Sequence, residues 1–171
     1  DEGSLTVRLT VAPPDGGGSA SPVEVYTWFD LFETAENGQN EPERKSGDTS
    51  ERVGELQDAM SFTAWYDTGV GDVDVAGACN GRREPGEETL ADGTLASVAS
   101  ALEAPFTLDS GDGCLSPNAS VCLSAAWSLD ETVGNRIQSD TVGFLVGFGA
   151  RACATGSEQA ADESTLSLPK A

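Results

Sequence analysis

The stretch Gly3–Pro14 reads GSLTVRLTVAPP, and its alternation sets the fold class. Leu5, Val7, Leu9 and Val11 fall on one face, and Thr6, Arg8 and Thr10 on the other. A period of two over this length is the mark of a half-buried β-strand, and Pro13 and Pro14 close it because proline cannot continue a ladder. The same kind of segment recurs along the chain. VEVYTWFDLFET, with Val23, Val25, Phe29 and Leu31, predicts a second strand, and SFTAWYD a third. SVCLSAAWSL and TVGFLVGFGARAC predict two more. In the last of these, Gly143, Gly147 and Gly149 point to bulges or close backbone approach.

Helical signals are sparse. ADGTLASVASALEAPF places Leu95, Val98, Ala99 and Leu102 at i, i+3, i+4 and i+7, with Thr94 or Asp92 as a cap and Pro105 as a stop. ELQDAM fits a single helical turn, while AENGQNEPERKSGDTSERVG reads as a long polar excursion. Gly16, Gly17 and Gly18 follow Pro and Asp rather than a strand-to-helix turn, so they read as a linker and not a phosphate loop. The expectation is an all-β, antiparallel, jelly-roll-like β-sandwich with one short helix and long acidic loops. It forms a single domain over residues 1–171, with 154–171 as a C-terminal tail.

Charge bounds the function. Asp and Glu number 29 against 9 Lys and Arg, for a formal net charge of −20. Nucleic acid and anionic lipid both need a basic patch, and the sequence has none. Acids spread along the whole chain fit adaptation to molar salt. There the screening length falls to ~3 Å and like charges hardly repel. No run of 18 apolar residues marks a membrane span, and the sequence contains no signal peptide, so Asp1 fits a processed or truncated end.

The four cysteines, Cys79, Cys114, Cys122 and Cys153, allow three pairings, a local Cys114–Cys122 bridge among them. No CxxC pair and no histidine are present, which disfavours zinc. Disulfides in an exported, extracellular protein fit better. Asn118-Ala119-Ser120 is a sequon, a candidate glycosylation site outside the cell.

Chemistry is thinly signalled. Mechanisms built on Ser–His–Asp, Cys–His or HExxH all need a histidine, so no catalytic residue is assigned. The loop DTGVGDVDVAGACNGRREPGEE has a calcium-like composition, but both EF-hand registers fail. Counting from Asp72 puts Ala76 at position 5 and Arg83 at position 12, and counting from Asp67 puts Gly69 and Gly71 where ligands belong. A calcium site of another type would draw on Asp67, Asp72, Asp74 and Glu84, against the plainer reading of a solvated acidic loop held by Cys79. Trp28, Trp65 and Trp127 each sit in a strand-like run, which predicts core packing rather than a sugar-binding platform.

Three segments together carry a resemblance: VYTWFDLFETAENGQNEPE (Val25–Glu43), ELQDAMSFTAWYDTG (Glu55–Gly69) and VCLSAAWSLDETVGNRIQSDTVGFLVGFGA (Val121–Ala150). The chain resembles the TasA/camelysin-like secreted proteins with SipW-type signal peptides, in their halophilic archaeal branch. The resemblance spans most of residues 25–153. It implies a jelly-roll sandwich, export, and assembly of copies into extracellular filaments in which an N-terminal strand completes the sandwich of its neighbour. The matched pattern lacks a further N-terminal stretch here. Either residues are missing before Asp1, or Gly3–Ala12 is itself the donated strand, with Leu5, Val7, Leu9 and Val11 filling alternate pockets. The alternative makes residues 1–12 an ordinary first strand of their own sandwich. STLSL in the tail is a weaker donor candidate. The resemblance also implies Cys114–Cys153 and Cys79–Cys122 pairing. The protease label attached to camelysin finds no support in a chain without histidine.

Overall fold

Alternation along Glu2–Thr10 becomes β1, which pairs antiparallel with β6 (Ser120–Leu129) over nine residues, from Glu2↔Ser128 to Thr10↔Ser120. In the computed structural model, which describes residues 1–13, 21–47, 50, 52–69, 78–108 and 113–153, seven strands form two antiparallel sheets. The first has the order β1-β6-β3-β4, with β3 at Met60–Tyr66 and β4 at Thr89–Thr94. The second has the order β5-β2-β7, with β2 at Val23–Ala35, β5 at Phe106–Thr107 and β7 at Thr141–Ala152. The expected antiparallel β-sandwich is therefore present. A full jelly roll has eight strands, and the described residues supply four over three.

The inner faces follow the period of two. From β2, Val25, Thr27 and Phe29 are buried while Asp30 is exposed. Phe29 and Phe144 of one sheet meet Phe62 and Trp127 of the other, with ring centroids 5.3–5.8 Å apart across the sheets. Edge-to-face and offset pairs of this kind add to the hydrophobic gain from burial. A second buried cluster, Val25, Tyr66, Leu108, Leu115, Val121 and Leu123, fills the other end of the sandwich.

The predicted helix is α3, and it covers Leu95–Leu102. Thr94 is its cap, accepting from the Ser97 amide at 3.2 Å, and Leu95, Val98 and Ala99 are buried. Its apolar stripe joins the Phe29–Phe62 cluster. The expectation of one short helix is too low. The single turn in ELQDAM is present as Leu56–Ala59, and Glu41–Ser46 forms another helix inside the polar excursion. The latter starts with a capping box: the Glu43 amide donates to Asn40 Oδ1 (3.1 Å) and the Asn40 amide to Glu43 Oε2 (2.5 Å). Asn40-x-x-Glu43 with Pro42 was the sequence signal for it. We label these helices α1 (Glu41–Ser46) and α2 (Leu56–Ala59). Glu131–Ile137 adds a 3₁₀ turn. No helix among the described residues is long and apolar enough to cross a membrane.

Candidate functional site

The two sheets leave a seam where β1 ends one sheet and β7 ends the other. A narrow apolar gap of about 50 Å³ reaches between the sheets, bordered by Leu5, Val7, Phe62, Val146 and Phe148. Farther along, an open cleft of about 280 Å³ is bordered by Leu9, Val11, Leu115, Phe148 and Ala150. Leu5, Val7 and Leu9 of β1, with Val11 just past its end, thus all border the seam. Val7, Leu9 and Val11 are partly buried, and Leu5 is 41% exposed. On its other face β1 is pinned by hydroxyl pairs, Thr6–Ser124 at 2.8 Å and Thr10–Ser120 at 2.7 Å.

β7 pairs with β2 over its whole length, with a bulge at Leu31/Glu33, and no described strand pairs with its outer edge. The edge is long and almost uncharged: TVGFLVGFGARA carries one charge, Arg151, and no proline or lysine. Exposed edges are normally blunted by such residues, so a bare twelve-residue edge is a template for another strand. Arg151 is occupied by Glu24 through Nε (2.6 Å) and Nη2 (3.0 Å). Those hydrogen bonds, with one from Thr107, hold the Glu24 carboxyl below its ordinary value.

Glycines on β7 have a packing reason. Gly147 faces Trp28 and Gly149 faces Tyr26 across the ladder, and a Cβ at either would fall inside the facing ring. Gly143 likewise lies under Phe32. The predicted close approach is that of aromatic rings lying flat across the strand. Tyr26, Trp28 and Phe32 therefore form a stripe on the outer face of the sheet, Tyr26 and Trp28 stacked at 6.2 Å and Phe32 64% exposed. Of the three tryptophans expected in the core, Trp65 is 2% exposed and Trp127 packs on Phe62, but Trp28 lies on this outer stripe. It sits one residue out of phase with Val25, Thr27 and Phe29, so alternation directs it outward.

Beyond β3, Asp67 and Gly81 lie at the outer face of the first sheet, beside Ser124 and Thr6. Asp67 is fully buried, and its carboxylate is satisfied by protein donors: Ser124 Oγ at 2.6 Å and Gly81 N at 2.7 Å on Oδ2, and Asn80 N at 3.2 Å on Oδ1. Successive amides of the turn form a nest for the anion, a turn that needs left-handed backbone at Cys79 (φ 58°) and Gly81 (φ 72°). Glu87, also buried, accepts from the amides of Gly69 and Glu84, both at 2.8 Å. Glu84 takes Asn80 Nδ2 on Oε1 (2.7 Å). Of the sequence-predicted calcium set, Asp67 and Glu84 come together, joined by Glu87, each contributing one oxygen within 4.8 Å of the others. Asp72 and Asp74 lie outside the described residues. Glu87 was missed because it stands at i+3 from Glu84, a spacing that carries no signal in so acidic a chain. Amide donors satisfy Asp67 and Glu87 and anchor the loop, while Glu84 Oε2 is buried without a partner.

Two disulfides complete the picture. Cys79–Cys122 clamps the loop to β6, and Cys114–Cys153 ties the segment before β6 to the end of β7, as the resemblance implies. Arg8 Nε lies 3.1 Å from Cys79 Sγ, so β1, β6 and the loop meet at one point. Disulfides persist in oxidising compartments and are compatible with an extracellular protein. Asn118 is exposed in a turn with φ 66°, a left-handed conformation asparagine tolerates, so its side chain is open to modification. No family model, no curated protein and no solved structure matches this chain.

Proposed function

We propose that this chain is a structural subunit of an extracellular filament, built by strand addition between copies and adapted to high salt. The observation that carries the reading is the outer edge of β7, bare among the described residues, uncharged up to Arg151, and set beside an apolar seam. A strand from a second copy pairing there would bring the three-stranded sheet to four. Backbone hydrogen bonds would supply affinity, and alternate side chains entering the seam would supply register. The donor is the segment Gly3–Ala12 of a neighbouring copy. Within one chain it pairs with β6, so donation to the β7 edge of a neighbour would move it out of its own four-stranded sheet. The two disulfides would resist unfolding outside the cell, each contributing about 2–4 kcal/mol. The formal charge of −20 is tolerable where molar salt screens it.

The outward-facing Tyr26–Trp28–Phe32 stripe, half-buried at Tyr26 and Trp28 and exposed at Phe32, favours a second reading, a monomeric surface domain that binds a sugar or another protein through an aromatic platform. Electron microscopy of native material in molar salt separates the two. Fibres with strand density along the β7 edge support the filament. Single particles with that edge empty refute it and leave the platform.

A further inference from the structure

A second acidic cluster lies at the opposite end of β2 and β7 from the disulfide Cys114–Cys153, and its accounting differs from that of Asp67. Ala35 pairs with Thr141 at the end of the ladder, so the residues just beyond, Glu36 and Asp140, are brought side by side. Glu55, at the start of α2, closes the group: one carboxylate oxygen from each of the three lies within 4.8 Å of the other two. Asp140 Oδ2 accepts from the amides of Glu55 (2.7 Å) and Leu56 (3.1 Å), which fixes α2 against the start of β7. Gly54 permits this approach, since a Cβ there would lie 2.5 Å from Asp140 Cγ.

Protein donors do not saturate the cluster. Glu36 is 9% exposed; its Oε1 takes the Gly38 amide at 2.9 Å, but its Oε2 is buried with no partner. Asp140 Oδ1 is likewise buried and unpartnered. Two inaccessible carboxylate oxygens left bare on adjacent acids are costly unless something positive sits between them. Burial raises the Glu36 carboxyl above its ordinary value, the Gly38 amide opposes this, and the charges of Asp140 and Glu43 add to the rise.

From this geometry we propose that Glu36, Glu55 and Asp140 hold a hard divalent cation, calcium by preference. Three carboxylates offer oxygen ligands alone, which suits calcium or magnesium and no thiophilic metal. Calcium takes its oxygens at about 2.3–2.6 Å, so ligands on opposite sides of it stand roughly 4.6–5.2 Å apart. Three oxygens that all lie within 4.8 Å of one another can therefore share one such ion. Magnesium demands a tighter octahedron and keeps its waters, which a 9% exposed Glu36 makes harder. An open cleft of about 450 Å³, bordered by Glu43, Asp58 and Arg136, reaches the cluster at Glu55. The bound ion would tie the end of β2 to α2 and to the start of β7.

The test is thermal unfolding of the full chain in molar NaCl at pH 8, with CaCl2 or MgCl2 titrated at fixed ionic strength, alongside calorimetric titration with calcium. A saturable rise in Tm of about 5–10 °C is expected at a hundredfold excess of calcium over its dissociation constant. Magnesium should act only at higher concentration. Glu36→Gln, which keeps shape and removes one charge, should abolish the saturable rise and the calorimetric signal. Glu84→Gln, in the other acidic cluster, should leave both intact. No calcium effect on the parent chain, or a full effect in Glu36→Gln, overturns the proposal. So does stabilisation on shifting from pH 8 to pH 5 with no response to calcium, because one proton shared by Glu36 and Asp140 would then account for the bare oxygens.

Discussion

Asp67→Asn isolates the anchoring of the acidic loop. The parent carboxylate is fully buried and accepts three hydrogen bonds, two on Oδ2 and one on Oδ1. Asparagine keeps one acceptor oxygen. If that oxygen takes the place of Oδ2, the Ser124 and Gly81 bonds survive but lose charge assistance, at about 1 kcal/mol each. The Asn80 amide then faces an NH2 group and loses its acceptor, at about 1–3 kcal/mol. The sum is about 3–5 kcal/mol, a large part of the roughly 5–15 kcal/mol that holds a domain together. With a urea slope of about 2 kcal/mol per M, the unfolding midpoint should fall by about 1.5–2.5 M. Urea titration in molar NaCl, followed by circular dichroism, reads this directly. Asp67→Ala, which orphans all three donors, should cost more. A midpoint shift below about 0.3 M in Asp67→Asn refutes the view that this carboxylate anchors the loop through its hydrogen bonds.

Three further outcomes are expected. Gly147→Val places a branched side chain where the Trp28 ring lies, so the ring must lift from the strand; the loss should be about 1–3 kcal/mol, with a changed near-ultraviolet circular dichroism signal. Replacing Cys114 and Cys153 together by serine opens a closure of 39 residues; loop entropy sets the loss near 4 kcal/mol at most, measured as a lowered urea midpoint that added reductant lowers no further at this bridge. In the absence of divalent cations, the two shifted glutamates act in opposite senses with pH. Glu36, whose carboxyl is raised by burial and by its acidic neighbours, favours the folded state below its ordinary value, and this is lost as pH rises through its folded value. Glu24, lowered by Arg151, favours it above its ordinary value, and this is lost as pH falls through its folded value. Glu36→Gln should therefore gain stability over the parent at pH 7 and lose that advantage at pH 4, whereas Glu24→Gln should lose stability at pH 7 and draw level in acid; unfolding midpoints across pH decide both.

The architecture was legible because a strand's period of two is local. Leu5 to Val11, Val23 to Leu31 and Val121 to Leu129 announce strands whatever they pair with, and Thr94 with its apolar stripe announces α3. α1 was hidden in a polar stretch because its stability rests on capping rather than on an apolar face. β4 was hidden because its Asp92 and Gly93 look like the approach to α3. The face of Trp28 turned on phase: a single residue of offset sends an aromatic outward, and the glycines that receive it lie more than a hundred residues away on β7.

By itself, the sequence determined the strand-rich class, the excess of acid, the even cysteine count and the positions of the main strands, since composition and short-range period need no partner. Tertiary structure decided which carboxylates matter. Among 29 acids no spacing singles out Glu36, Glu55 and Asp140, for they meet only when the β2–β7 register brings two strand ends together and α2 folds against them. It also decided that Asp67 is satisfied by amide donors while Glu36 and Asp140 keep bare oxygens. Hydrogen-bond satisfaction depends on which backbone groups arrive from distant parts of the chain, and that is fixed by the fold and not by local composition.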